Sequence, residues 1–205
     1  GTNDPNFEQP PLGKEIIALG IKIFGNNPYG WLVPSVVFSL LGNIVIYFLF
    51  KGIFKSRLVG GLTSSLLSLD FMYFIHSRMG TMEMIYLFFL WGAVYFLYKY
   101  ICIDVSIRRY KTINLVLGSV FFGLAFSTKW TALLLLIPFF LALLAKKQFR
   151  EIFKLTIFLA IFTVGLYCLT YLPYILRNSI WHFINLQYKI FNFWVTFSQK
   201  AGLKL

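Results

Sequence analysis

Two cations stand at tight corners between apolar runs, and both corners carry hydroxyl neighbours. His76-Ser77-Arg78 comes shortly before Glu83, and Ser127-Thr128-Lys129-Trp130 joins two apolar runs with almost no loop. An Arg fork matches phosphate oxygens, and a Lys offers a compact charge for the same partner. A carboxylate alongside could take the proton of an attacking hydroxyl. Glu8, Glu15, Glu83 and Asp70 are the acids that could lie nearby. Such a set describes a place where a lipid-linked phosphate meets a polar acceptor. Asp70 precedes Ser77 by seven residues, which is roughly 10 Å inward along a helix. A charge at the centre of a membrane helix costs at least ~2.5–3.5 kcal/mol, so such a residue needs a reason. The structural alternative is that Arg78 and Lys129 snorkel to headgroups while Asp70 pairs with a neighbouring helix. Glu15 and Lys22 read as a solvated helix face.

The elements that must position these groups are hydrophobic. Hydrophobic residues make up 59% of the 205 residues, charged residues 13%, and mean hydropathy is +0.74. Soluble domains carry about a quarter charged residues, so this chain is solvated mainly by lipid. Tyr29–Phe50 and Leu155–Leu176 are each 22 residues without a charge, long enough to cross a hydrocarbon core of ~30 Å. Between them lie Leu58–Ile75, Met84–Ile101, Ile113–Thr128 and Trp130–Ala145; the last two hold only 16 residues each. The reading is an all-α integral membrane protein of about six transmembrane helices plus an amphipathic juxtamembrane helix, with a re-entrant pair as the alternative for the short runs. Residues 1–28 form an outer polar arm and interfacial helix, 29–176 the multi-span domain, and 177–205 a truncated outer amphipathic segment.

Charge sets the orientation. Three loops hold eleven of the 19 Lys and Arg: Lys51/Lys55/Arg57, Lys99/Arg108/Arg109/Lys111 and Lys146/Lys147/Arg150/Lys154. Positive loops face the cytoplasm, which leaves both termini, Arg78 and Lys129 on the extracytoplasmic side. The net charge of +12 is thus mainly a topology signal, and no basic soluble face for a nucleic acid is visible. Cys102 and Cys168 read as small apolar packing residues rather than a disulfide. No signal peptide is expected, and both ends read as cut from a longer membrane protein. No His/Asp/Glu cluster has ligand spacing, so no metal site is assigned and a divalent metal is left open. Oligomeric state is open too, a dimer included.

The arm carries Gln9-Pro10-Pro11-Leu12-Gly13-Lys14. Pro-Pro forbids helix at the preceding residue and fixes an extended approach. A helix over Leu12–Phe24 is then expected, with Leu12, Ile16, Leu19 and Ile23 on one face and Glu15, Ala18 and Lys22 on another. Gly25 closes it before Asn26-Asn27-Pro28. Further along come Trp31-Leu32-Val33-Pro34-Ser35, Leu69-Asp70…Ser77-Arg78…Glu83, Gly123-Leu124-Ala125…Lys129-Trp130, and Gln187-Tyr188-Lys189-Ile190 followed by Trp194.

In order, these segments, with Asn6-Phe7-Glu8 ahead of the Pro-Pro pair, resemble the protein O-mannosyltransferase family. Its members are GT-C-fold glycosyltransferases that use polyprenyl-phosphate sugars. The resemblance covers nearly the whole chain and implies a partial GT-C-like bundle in a multi-pass membrane protein. The membrane would be the plasma membrane in a prokaryote or the endoplasmic reticulum in a eukaryote. It implies transfer of a mannosyl group from a dolichyl- or polyprenyl-phosphate donor to a Ser or Thr hydroxyl of an acceptor protein, with inversion. On it Arg78 and Lys129 hold the donor phosphate and Glu8 is an acidic contributor. Gln9, Lys14, Asp70, Ser77, Glu83 and Gln187 support them. The family's Asp-Glu pair would lie upstream of residue 1, so this stretch alone is expected to be inactive. Gln9 stands where the family has His, Leu32 where it has Arg, and Glu83 where it has Asp. Two competing readings are a transporter or channel segment using Asp70, and a non-catalytic membrane scaffold related to the glycosyltransferases.

Overall fold

A computed structural model describes residues 8–102 and 108–200. Asn6, Phe7 and residues 201–205, on which expectations were placed, lie outside the described residues, as does the side chain of Cys102. The described residues form ten α-helices: α1 Leu12–Phe24, α2 Pro28–Phe54, α3 Arg57–Leu69, α4 Phe71–Ser77, α5 Glu83–Cys102, α6 Arg108–Phe126, α7 Leu136–Ala145, α8 Phe149–Thr170, α9 Leu172–Asn178 and α10 Ile180–Lys200. A 3₁₀ turn, Trp130–Leu135, leads into α7. The all-helical membrane architecture expected from composition is what these elements build.

Three helices, α2, α5 and α8, are long and apolar enough to cross a membrane, and α3 with α4 qualifies as a bent pair. The remaining runs depart from simple spans for local reasons. Asp70 breaks the second run: its carboxylate accepts from the Tyr73 backbone N–H at 2.8 Å and caps α4, which turns 70° from α3. Helix α6 begins on Arg108 and Arg109, five residues before the apolar run, and its charged first turn lowers its hydropathy. Pro138 has no N–H for an i→i−4 bond to Leu134, and the chain ahead of α7 tightens into the 3₁₀ turn. Pro173 stops α8 in the same way, and a short α9 follows.

Helix α5 is the centre of the bundle. Ile85, Phe89, Ala93, Leu97 and Tyr100 follow helical spacing and are all buried. They pack against Leu115 and Phe122 of α6, which in turn meets Leu155 and Leu159 of α8. On the other flank α5 meets α2, and α3 packs outside α2. Leu40, Ile44 and Phe48 of α2 and Ile161 and Val164 of α8 face outward, the arrangement for lipid contact. Cys168 shares that outer stripe of α8 and is exposed, so the packing role expected for it does not hold.

Helix α1 has the expected bounds, and Gly25, at φ 86°, closes it. Leu12 and Ile16 pack on the core, whereas Leu19 and Ile23 are exposed, so its apolar face is shared between protein and surroundings. Asn27 then caps α2, accepting from Gly30 N–H at 3.2 Å.

Candidate functional site

The arm, the turn after α4 and the corner after α6 meet at one end of the bundle. Leu12 donates its backbone N–H to the Ser127 carbonyl at 3.2 Å, which ties the start of α1 to the corner. Gly13 is buried there; a Cβ on it would lie 2.6 Å from Met82 Cβ and 3.0 Å from Thr128 Cγ2. Only glycine permits this approach, which accounts for Pro-Pro-Leu-Gly as a docking segment. Ser35, buried near the start of α2, donates to the Thr81 carbonyl at 3.0 Å and holds the 78–82 turn.

The corner distributes three consecutive side chains to three different partners. Lys129 makes an ion pair with Glu83, the first residue of α5. Its ammonium lies 5.8 Å from the centre of the Tyr86 ring. Trp130 donates its indole N–H to the Tyr167 hydroxyl at 3.2 Å, and Thr131 donates to the Tyr86 hydroxyl at 3.2 Å. Tyr167 in turn donates to the Gln187 Oε1 of α10 at 2.6 Å. Extended backbone at Lys129 (φ −150°, ψ 133°) between α6 and the 3₁₀ turn lets neighbouring side chains diverge this way.

The other predicted residues occupy different positions. Arg78 caps the end of α4, is exposed, and its guanidinium stacks 4.1 Å from the centre of the Phe74 ring. It begins the turn that ends at Glu83, but its side chain lies on Phe74 and not on the Lys129–Glu83 pair. Ser77 Oγ donates to the Phe74 carbonyl at 2.8 Å, which is a local helix-end bond. Asp70 is an exposed helix cap at the α3–α4 break and is not among the groups at the corner. Glu8 and Gln9 are half-buried on the arm, and the Glu8 carbonyl accepts from the Trp194 indole N–H at 3.0 Å. Lys14 is half-buried one residue beyond Gly13. Desolvation raises the Glu15 carboxyl above the usual range.

A polar lining without partners completes this end. Thr81 Oγ1, Ser127 Oγ and Gln187 Nε2 are buried and unpaired, and Ser127 is wholly buried. Buried polar atoms are normally satisfied, so three orphaned groups at this end stand out. Among the described residues no three His, Cys, Asp or Glu side chains converge. The arrangement combines a corner cation paired with Glu83 and orphaned hydroxyl and amide groups, with Arg78 exposed at the start of the adjoining turn.

The profile of the dolichyl-phosphate-mannose-protein mannosyltransferase family matches residues 8–174. The chain belongs to this family. It is 31% identical over 84 residues to a polyprenol-phosphate-mannose–protein mannosyltransferase of Mycobacterium tuberculosis, covering 41% of this chain and 16% of that protein. The protein of the same description from Corynebacterium glutamicum is 26% identical over 145 residues, covering 60% and 27% respectively. An uncharacterized protein of Aquifex aeolicus is 28% identical over 150 residues, covering 71% of this chain and 29% of its own length. The chain therefore spans less than a third of the length of these relatives. No solved structure matches it significantly.

Within this mannosyltransferase-family chain, sequence reasoning missed Tyr86, Thr131 and Tyr167 as site neighbours. Tyr167 was hidden inside an apolar run, where a tyrosine reads as packing. One signal was available: Gln187, Ile190 and Trp194 lie at i, i+3 and i+7, the spacing of one helix face. Gln187 and Trp194 hydrogen-bond to the corner network and the arm, and Ile190 between them is fully buried.

Proposed function

We propose that this chain is the donor-handling part of a membrane glycosyltransferase, which moves a mannosyl group from a polyprenyl- or dolichyl-phosphate sugar to a protein Ser or Thr hydroxyl. One observation carries the reading. The Glu8–Lys14 arm, the 78–83 turn and the 127–131 corner are far apart in the chain, yet they dock on each other at Gly13. All three lie inside the family match.

In this reading the bond between the sugar's anomeric carbon and the phosphate oxygen breaks. A new bond forms from that carbon to the acceptor hydroxyl oxygen on the opposite face, with inversion. Lys129 and Arg78 neutralise the charge that grows on the departing phosphate. The hydroxyl proton goes to a carboxylate, and Glu8 is the acid of this chain on the arm. Gln9, Lys14, Ser77, Glu83 and Gln187 shape the surroundings, and Asp70 holds the α3–α4 break that leads to Arg78. The site opens to the extracytoplasmic side, opposite the positively charged turns. A multi-pass location in the plasma or endoplasmic reticulum membrane, lipid neighbours and an acceptor protein follow from the same reading.

The test is transfer of labelled mannose from polyprenyl-phosphate mannose to a Ser/Thr peptide by the full-length protein in nanodiscs. Lys129→Ala and Arg78→Ala should each reduce turnover sharply. Wild-type rates in both would remove the assigned roles, and no transfer by the wild type to any peptide would remove the reading.

A further inference from the structure

We propose that Tyr167 is a positioning residue: it orients the Gln187 carboxamide so that its NH₂ group is presented to oxygens of the lipid-phosphate donor. The inference rests on the donor-handling reading above. Three observations lead to it. The Tyr167 hydroxyl stands between the Trp130 indole N–H at 3.2 Å and Gln187 Oε1 at 2.6 Å. The Tyr171 ring packs 5.0 Å from the Tyr167 ring. The other end of the Gln187 amide, Nε2, is buried and has no partner.

Hydrogen-bond bookkeeping gives the direction. An indole N–H can only donate, so it consumes an acceptor position of the phenol. The phenol's single proton is donated to Gln187 Oε1 at 2.6 Å. With its oxygen engaged, the amide must point its two N–H donors elsewhere. Burying such donors unpaired is unfavourable, and an incoming oxygen would relieve it. The relay begins at Trp130, the residue after Lys129 in the corner. Phe126 stacks on Trp130 with ring centroids 6.5 Å apart and lies 5.3 Å from the Tyr167 ring, tilted 50° to it, so one ring packs on both members of the relay.

A double-mutant cycle on the full-length protein in nanodiscs tests this. Binding of radiolabelled polyprenyl phosphate alone and kcat/KM for mannosyl transfer are both measured for Tyr167→Phe, Gln187→Met and the double variant. Each single variant should weaken polyprenyl phosphate binding about fivefold, the size of one net hydrogen bond. The double variant should be no weaker than either single, because Tyr167 acts only through the amide. Additive losses, or a Tyr167→Phe protein that binds like the wild type, would overturn the inference. If Tyr167→Phe fails to fold, Trp130→Phe breaks the relay at its far end, and its cycle with Gln187→Met should be equally non-additive. A wild type that binds polyprenyl phosphate but transfers no mannose, with a coupled cycle, sinks the transfer reading and leaves Tyr167 in its role. A wild type that transfers mannose with an additive cycle sinks the Tyr167 role alone. A wild type that does not bind polyprenyl phosphate sinks both.

Discussion

Lys129 and Glu83 form an ion pair across 46 residues of sequence, joining the corner after α6 to the first residue of α5. Their side chains retain 20% and 33% of their exposure, so the pair is partly screened by water and partly desolvated. Glu83 also sits at a helix N-terminus, where the helix dipole favours a carboxylate. The pair thus holds the corner closed while leaving an ammonium at its surface. In the proposed reading, a phosphate arriving there would meet a cation already aligned, its charge partly countered by Glu83.

Reversing the pair separates structure from chemistry. Lys129→Ala or Glu83→Gln should each lower stability by about 1 kcal/mol, as for a half-exposed ion pair. The swap Lys129→Glu with Glu83→Lys should restore part of that stability, read as the thermal midpoint in detergent. It should not restore mannosyl transfer, because the cation has moved to the α5 terminus. A swap that recovers both would reduce the pair to a structural tie.

How much of this was legible depended on whether a signal was local. Helix α1 followed from four apolar residues at helical spacing and Gly25, and its bounds agree with the structure. The corner was legible because Lys129 interrupts apolar residues on both sides. The capping role of Asp70 was obscured by its apolar flanks, Leu69 and Phe71, because a cap is defined by backbone geometry that composition does not report. The pairing of Lys129 with Glu83 and of Tyr167 with Gln187 depends on which helices pack together. No periodicity within one segment carries that information.

Gly13→Ala should be poorly tolerated. The added methyl would meet Met82 Cβ at 2.6 Å and Thr128 Cγ2 at 3.0 Å, both anchored close to their backbones. Overpacking of this kind costs about 1–3 kcal/mol. The arm should lift from the corner, detectable as faster hydrogen exchange at the Leu12 amide, which is bonded to Ser127. Unchanged exchange at Leu12 would mean that the arm docks through other contacts.

Arg78→Ala tests whether an exposed cation is functional or decorative. Its visible contact, the stack on Phe74, contributes about 0.5–1 kcal/mol at an exposed site. The thermal midpoint should therefore move little. A charge-assisted bond to phosphate is worth about 1.5–3 kcal/mol, so donor affinity should fall about 10- to 100-fold. Because the side chain is exposed, the wild-type affinity should also weaken with added salt, and the variant's less so.

Asp70 gives opposite answers for a cap and for a membrane ion site. Asn is as good an N-cap as Asp, whereas Ala costs about 1 kcal/mol. Asp70→Asn should thus keep the thermal midpoint and transfer rate, and Asp70→Ala should lower the midpoint. A large loss in Asp70→Asn would show that its charge, and not only its capping oxygen, is needed.

Glu151 is the control at the other end of the bundle. Its carboxylate accepts from the Tyr100 hydroxyl at 2.5 Å and pairs with Lys111 at 3.4 Å and Lys154 at 3.1 Å. One acid therefore ties α5, α6 and α8 together and offsets two of the cations gathered there. In Glu151→Gln the amide can still accept from Tyr100, but both lysines lose their counter-charge. Stability should fall by about 1–2 kcal/mol, as for more than one half-exposed pair, and the loss should shrink in high salt. Polyprenyl phosphate affinity and kcat should stay at wild-type values wherever the protein remains folded, since no residue of the corner touches this cluster. A changed donor affinity in folded Glu151→Gln would show that the two ends of the bundle are coupled.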